Sequence, residues 1–253
     1  ASLVQNNELA VSNVVGSNIF NLMFVIGVCS ILTPIMVQKA TVVRDIPLSL
    51  GCALFLLVLG ISGLGDKTGM TLGHADGVIF LIVFAGYIFT MVRSAMKARA
   101  AGQKVEIEGV EECDNMKELS YGKSILFLIV GAAAIAFGGD LTVDTASRIA
   151  IELGMSQTLV GLTIVSIGTS LPELVTSAAR KNEVDMAVGN AVGSNIFNIL
   201  MVLGISSAIS PVALIWENII DIVLLMVFSV MVWIFAGTRK KIERKEGIIM
   251  VVV

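Results

Sequence analysis

Apolar residues gather along this chain in blocks of roughly 20, long enough to cross a bilayer as helices, with short polar stretches between them. The blocks lie at about 9–32, 47–64, 76–96, 123–139, 158–179, 186–210 and 219–237, and an eighth opens at Gly247. Spanning segments must satisfy every backbone N–H and C=O internally, so the pattern predicts an all-α polytopic membrane protein. Polar letters break two of the blocks in the same way. NVVGSNIFN runs from Asn13 to Asn21 and NAVGSNIFN from Asn190 to Asn198.

The repeated word belongs to a longer duplication. Sliding the chain on itself until Glu8 meets Asp185 and Pro34 meets Pro211 aligns the two copies without a gap. In that alignment, 14 of the 25 positions from Ala10 to Pro34 are identical to their partners. Four spans separate the copies, so the second copy lies five helices beyond the first and crosses the membrane in the opposite direction. An inverted-topology repeat of this kind is a transporter architecture, with the binding site near the midplane between the halves. Flanking charge agrees, because Lys and Arg collect on the cytoplasmic side. With the 97–122 loop inside, 15 of the 17 Lys and Arg fall inside, and only Lys67 and Arg148 fall outside. VQNNE precedes the first copy and RKNEVD the second; Lys39 and Arg44 follow the first, whereas SPVALIWEN follows the second. Residues 1–98 then form the remainder of the first inverted repeat, 99–122 a cytoplasmic loop and 123–253 the second repeat.

Composition excludes more than it specifies. The chain is 56% hydrophobic and 15% charged, with mean hydropathy +0.91, whereas a soluble domain is about a quarter charged. Cys29, Cys52 and Cys113 lie far apart, which supports neither a disulfide framework nor a zinc site. His74, the single histidine, flanks a span and reads as a loop or interface residue. No nucleic-acid partner and no cofactor is expected.

GLTIVSIGTSLPELVTSAAR, Gly161 to Arg180, carries the candidate chemistry. An intramembrane carboxylate such as Glu173 is costly and by default functional. Pro172 lacks an N–H and clashes one turn back, freeing the Gly168 carbonyl and kinking the helix. Carbonyls from Ser166 to Thr169 can then turn inward, beside the hydroxyls of Thr169 and Ser170. In the repeated word, Ser194 and Asn198 are four residues apart and share a helix face, as do Ser17 and Asn21. Oxygen donors without nitrogen or sulfur suit Ca²⁺ and Na⁺. Gly16, Gly189 and Gly193 are expected to let the helices approach closely around such a cage. The plainer reading, that Ser, Asn and Gly only glue membrane helices together, stands beside it.

GTSLPEL (168–174), GNAVGSNIFN (189–198) and VGSNIFN (15–21) resemble the α-repeats of prokaryotic sodium/calcium exchangers in the calcium/cation antiporter superfamily. The resemblance implies a ten-helix fold in two inverted sets of five, here helices three to nine plus the start of ten. It also implies a multi-pass protein of the cell membrane, exchanging Na⁺ for Ca²⁺ by alternating access. Ion ligands carried over are Ser166 (through its carbonyl), Thr169, Ser170, Glu173, Ser194 and Asn198, with Ser17 and Asn21 as first-repeat partners. Two glutamates shared between the ions would balance one Ca²⁺, while three Na⁺ would leave a net charge to move. The partner of Glu173 would lie shortly before Ala1. The chain therefore reads as a fragment whose missing N-terminal helices are partners in the site. Some relatives have Asp where Asn198 stands, so Asn at both Asn21 and Asn198 argues against potassium dependence. A Ca²⁺/H⁺ antiporter of the same superfamily is the alternative, since a carboxylate site can always protonate.

Other classes fit less well. A channel has no open pore lining here, and a hydrolase using Ser170 has no GxSxG, HExxH or nearby histidine. VEIEGVEECD (105–114) lacks EF-hand spacing and reads as solvated loop. Asp140 reads as the end of a span, Asp144, Arg148 and Glu152 as an exposed helical end, and TRKKIERK (238–245) as a cytoplasmic flank meeting anionic lipid.

Overall fold

A computed structural model describes residues 7–62, 70–100, 120–155, 160, 164, 168 and 185–253. Helix α1 (Asn7–Phe20) continues through a π segment (Asn21–Val25) into α2 (Ile26–Leu32). A short strand β1 (Ile35–Met36), a second π segment (Thr41–Asp45) and α3 (Ile46–Ser62) follow. Then come β2 (Thr71–Leu72), α4 (His74–Ala100) and α5 (Tyr121–Glu152). The second copy of the word forms α6 (Asp185–Phe197), a π segment (Asn198–Leu203) and α7 (Gly204–Ile209). Strand β3 (Val212–Ala213), α8 (Trp216–Arg239), β4 (Lys241–Ile242) and α9 (Arg244–Val252) complete the order.

Five of the predicted spans are helices long and apolar enough to cross a membrane: Ala10–Leu32, Thr41–Ser62, His74–Ser94, Ala187–Ile209 and Trp216–Arg239. The 158–179 span falls almost entirely outside the described residues. Helix α5 runs unbroken to Glu152, so Asp140 sits within it, and Asp144, Arg148 and Glu152 are exposed near its end.

Two small antiparallel clasps lock the halves together and show their inversion. Strand β1 pairs with β4, Ile35 opposite Ile242, and β2 pairs with β3, Thr71 opposite Ala213. Bonds from Val37 N to the Lys240 carbonyl and from Leu214 N to the Met70 carbonyl, both 2.8 Å, extend the two clasps. Val37 and Leu214 are themselves partners in the repeat alignment. Helix α8, about 36 Å long at 1.5 Å per residue, joins β3 to β4, so the clasps lie at its opposite ends. Because α2 leads into β1 and α7 into β3, the two copies finish on opposite faces. Each half thus lends its linker to the other.

The basic segments share one end. The β1–β4 pairing brings Lys39 and Arg44 to the same face as Arg239, Lys240, Lys241, Arg244 and Lys245. Lys240 takes a left-handed backbone (φ 51°) that turns α8 into β4.

Helix contacts repeat the two-fold relation. Helix α2 packs on α9, and α4 on α7. The closest approaches are at Gly27 with Gly247 and at Gly204 with Gly77. Gly27 and Gly204 are again partners in the repeat alignment. In hydrocarbon, helix association depends on such close van der Waals packing and on interhelical hydrogen bonds. At Gly189 and Gly193, by contrast, a side chain would meet nothing within 4 Å among the described residues. His74 caps this region from outside, exposed and 2.9 Å from the Ala208 carbonyl through Nδ1.

One polar clamp ties the first copy to α8. Fully buried Asn218 donates through Nδ2 to Ser12 Oγ at 2.7 Å and accepts from Ile215 N at 3.1 Å. Asn218→Leu keeps the number and branching of side-chain heavy atoms but strands both partners, which costs about 1–3 kcal/mol for a buried polar group left unmade. Thermal unfolding of the purified protein in detergent should show the loss, and an unchanged midpoint would refute the clamp.

Candidate cation site

The two GSNIFN words meet where α1 and α6 approach the π segments. Asn18 and Asn21 are fully buried, Asn195 and Ser17 nearly so, while Ser194 and Asn198 are half-buried. Asn18 Nδ2 donates to the Asn195 backbone carbonyl at 3.3 Å, and Asn195 Nδ2 donates to the Asn18 carbonyl at 3.1 Å. Asn21 Nδ2 donates to Asn195 Oδ1 at 3.3 Å, and Asn198 Nδ2 donates to Asn18 Oδ1 at 3.0 Å. Every bond joins one half to the other, and each has a symmetric mate.

The orientation of all four amides follows from the backbone. A carbonyl only accepts, so Asn195 must turn Nδ2 towards the Asn18 carbonyl and its Oδ1 towards Asn21. Asn21 must therefore answer with Nδ2. Its Oδ1 is then left buried with no hydrogen-bond partner among the described residues. By the same chain of bonds, Asn198 turns its Nδ2 to Asn18 and leaves its Oδ1 on the other side of the amide. A buried amide oxygen without a donor is unfavourable unless something else, such as a cation, meets it.

The two inner π segments begin at Asn21 and Asn198 themselves. Single π turns inside α-helices are frequent at functional sites, and these two start at equivalent positions of the repeat. The third, at Thr41–Asp45, has a different partner: Trp233 Nε1 donates to the Val42 carbonyl at 2.9 Å.

Of the residues expected to hold ions, the structure brings together Asn21 and Asn198, with Ser17 and Ser194 one turn away on their helices. Ser166, Thr169, Ser170 and Glu173 lie outside the described residues. Of GTSLPEL (168–174) only Gly168 is described, and a side chain there would strike Val143 of α5. Among the described residues no three His, Cys, Asp or Glu side chains gather closely enough to hold a metal, so the donors in view are amides and hydroxyls. Asn18 and Asn195 were not expected. Their signal was present, since both recur in the repeat three residues before Asn21 and Asn198 and so share their helix face.

Comparison with known proteins places this geometry. The family model described as "Sodium/calcium exchanger protein" matches residues 1–93 and 123–253. CaxA of Alkalimonas amylolytica is 36% identical over 206 residues, covering 81% of this chain and 61% of CaxA. The inner membrane protein YrbG of Escherichia coli (strain K12) is 35% identical over 216 residues, covering 83% of this chain and 63% of YrbG. The chain thus spans less than two thirds of the length of these two relatives. A solved structure of the sodium-calcium exchanger NCX_Mj, soaked with 10 mM Na⁺ and zero Ca²⁺, superposes with TM-score 0.75 at 31% identity. That match covers 100% of this chain and 77% of the other. With inverted halves, paired asparagine words at their crossing and a family match over both, the chain belongs to the sodium/calcium exchanger protein family.

Proposed function

We propose that the protein is a secondary antiporter that moves Ca²⁺ against Na⁺ by alternating access. The observation that carries this reading is the buried Asn21 Oδ1, without a partner among the described residues, at the crossing of two inverted halves. It is a hard oxygen donor where a cation would sit. Glu173 supplies the carboxylate; Thr169, Ser170, the Ser166 carbonyl, Ser17, Ser194 and Asn198 complete the cage. Upstream helices of the full-length protein contribute a second acid. With two carboxylates in the site, one Ca²⁺ is balanced and three Na⁺ leave one net positive charge. Voltage then adds about 2.3 kcal/mol per charge per 100 mV to the driving force.

The protein lies in the cell membrane with 99–122 on the cytoplasmic side, dividing the repeats 1–98 and 123–253. The basic residues gathered at the β1–β4 end support this side as cytoplasmic, where they meet anionic headgroups.

The test is ⁴⁵Ca²⁺ flux by the full-length protein in sealed vesicles, first under an imposed Na⁺ gradient and then under a pH gradient. The expected result is uptake that follows outward Na⁺ and runs faster with the vesicle interior positive than with it negative. The sign follows from charge: Na⁺ leaving carries the excess positive charge out, which an interior-positive potential favours. Flux driven only by the pH gradient would make this a Ca²⁺/H⁺ antiporter, and no Ca²⁺ flux under either gradient would overturn the reading.

A further inference from the structure

We infer that Asn18 and Asn195 are positioning residues: each sets the amide of the other half's candidate ligand, so that Asn195 aims Asn21 Oδ1 and Asn18 aims Asn198 Oδ1 into the site. The inference rests on the antiport reading above. An asparagine ligand offers a cation its oxygen only if the amide is held the right way round, because the NH₂ end repels it. Nothing in the GSNIFN word alone decides which way the amide of Asn21 turns. The decision comes from a backbone carbonyl across the interface. The Asn18 carbonyl accepts from Asn195 Nδ2 at 3.1 Å, which leaves Asn195 Oδ1 to accept from Asn21 Nδ2 at 3.3 Å. The mirror bonds run from Asn18 Nδ2 to the Asn195 carbonyl at 3.3 Å and from Asn198 Nδ2 to Asn18 Oδ1 at 3.0 Å.

The side-chain amides of Asn18 and Asn195 are both engaged in these bonds, donor and acceptor alike. Asn21 Oδ1, by contrast, is buried without a hydrogen-bond partner among the described residues. Ligand and positioner are thus distinguished by which atoms are spent. The wiring also crosses the halves, so the amide of each half is set correctly only while the two halves remain docked at this crossing.

A double-mutant cycle in the full-length protein separates positioning from plain structural support. ⁴⁵Ca²⁺ uptake in proteoliposomes, normalised to the amount of folded protein, is measured for wild type, Asn195→Ala, Asn21→Ala and the double variant. Asn195→Ala is expected to raise the Ca²⁺ concentration for half-maximal uptake about three- to tenfold, the range set by one or two hydrogen bonds. The same substitution in the Asn21→Ala background should add little, because its target is already gone. Equal and multiplicative effects in both backgrounds would overturn the inference, as would a lower maximal rate with unchanged Ca²⁺ dependence. The mirror cycle, Asn18→Ala with Asn198→Ala, is read in the same way and decides the matter if the Asn195 variants fail to fold. Wild-type protein without Ca²⁺ uptake would instead overturn the antiport reading itself, an outcome distinct from any result within the cycle.

Discussion

Glu173→Gln is expected to reduce Na⁺-driven Ca²⁺ uptake to background while leaving the folded protein intact. The substitution preserves size and one carbonyl oxygen and removes a full negative charge. In a span as apolar as the one from Gly161 to Ala179, little else compensates a divalent ion. The amides and hydroxyls of Ser17, Asn21, Ser194 and Asn198 contribute dipoles but no net charge. Since the affinity of Ca²⁺ sites is tuned by ligand charge count, a loss on the order of 100-fold or more is anticipated. Glu173→Asp, which keeps the charge but shortens the reach, should retain partial activity with a weaker Ca²⁺ dependence. Flux is to be compared with thermal unfolding of the same preparations in the absence of Ca²⁺. Wild-type flux in Glu173→Gln would remove this carboxylate from the ion path, and a collapsed unfolding midpoint would identify it as structural.

Much of the architecture was legible because a repeat writes the same constraint twice. The shift that aligned Ala10–Pro34 with its copy also relates Asn18 to Asn195, Gly27 to Gly204 and Val37 to Leu214. Each of these pairs proved to occupy equivalent places in the fold. Inversion was readable from the odd helix count and from the basic flanks, and the β1–β4 clasp brings those basic flanks to one face. The clasps themselves were not readable. Two-residue strands have no period to detect, and their partners lie in the opposite half, where no local rule points.

The asparagine crossing was legible only in part, for a physical reason. A spacing of four selects Ser17 with Asn21 and Ser194 with Asn198, but a spacing of three shares the face almost as well. Helical geometry therefore could not say which asparagine binds the other half and which is left with a spare oxygen. That choice depends on the neighbour's backbone carbonyl. Of the two readings of the word, helix glue fits the bonds of Asn18 and Asn195, and ion ligand stays the proposal for Asn21 and Asn198. Asn18 and Asn195 hold the helices together, and Asn21 keeps an oxygen unpaired among the described residues. Among the described residues the tight glycine crossings lie elsewhere, at Gly27 and Gly204, which recur in the repeat as Gly16 and Gly193 do.

Those crossings carry the second large effect: Gly77→Val should prevent α4 from docking on α7 and leave little folded protein in the membrane. A Cβ at Gly77 would stand 2.6 Å from Ser207 Oγ and 2.7 Å from the Gly204 carbonyl oxygen, and nearer still to Ala208 N. Two of these three atoms are backbone, which no rotamer change can move. Ser207 is itself tied down, donating to the Leu203 carbonyl at 2.6 Å. Relief therefore requires α4 to retreat from α7, which also pulls on the β2–β3 clasp and on the contact of Phe80, fully buried, with Phe55 at 5.3 Å between ring centres. The cost should lie at or above the upper end of the roughly 1–3 kcal/mol typical of overpacking. Gly86→Ala is the control on the same helix: nothing among the described residues lies within 4 Å of a Cβ there, and alanine is the better helix former by about 1 kcal/mol. Fluorescence-detected size exclusion and thermal unfolding should show Gly77→Val aggregated or strongly destabilised and Gly86→Ala at or above wild type. If Gly77→Val were as stable as wild type, the α4–α7 crossing could not be as close as described. The symmetric α2–α9 crossing, where Gly247 faces the Gly27 carbonyl and Ser30, would then need the same revision.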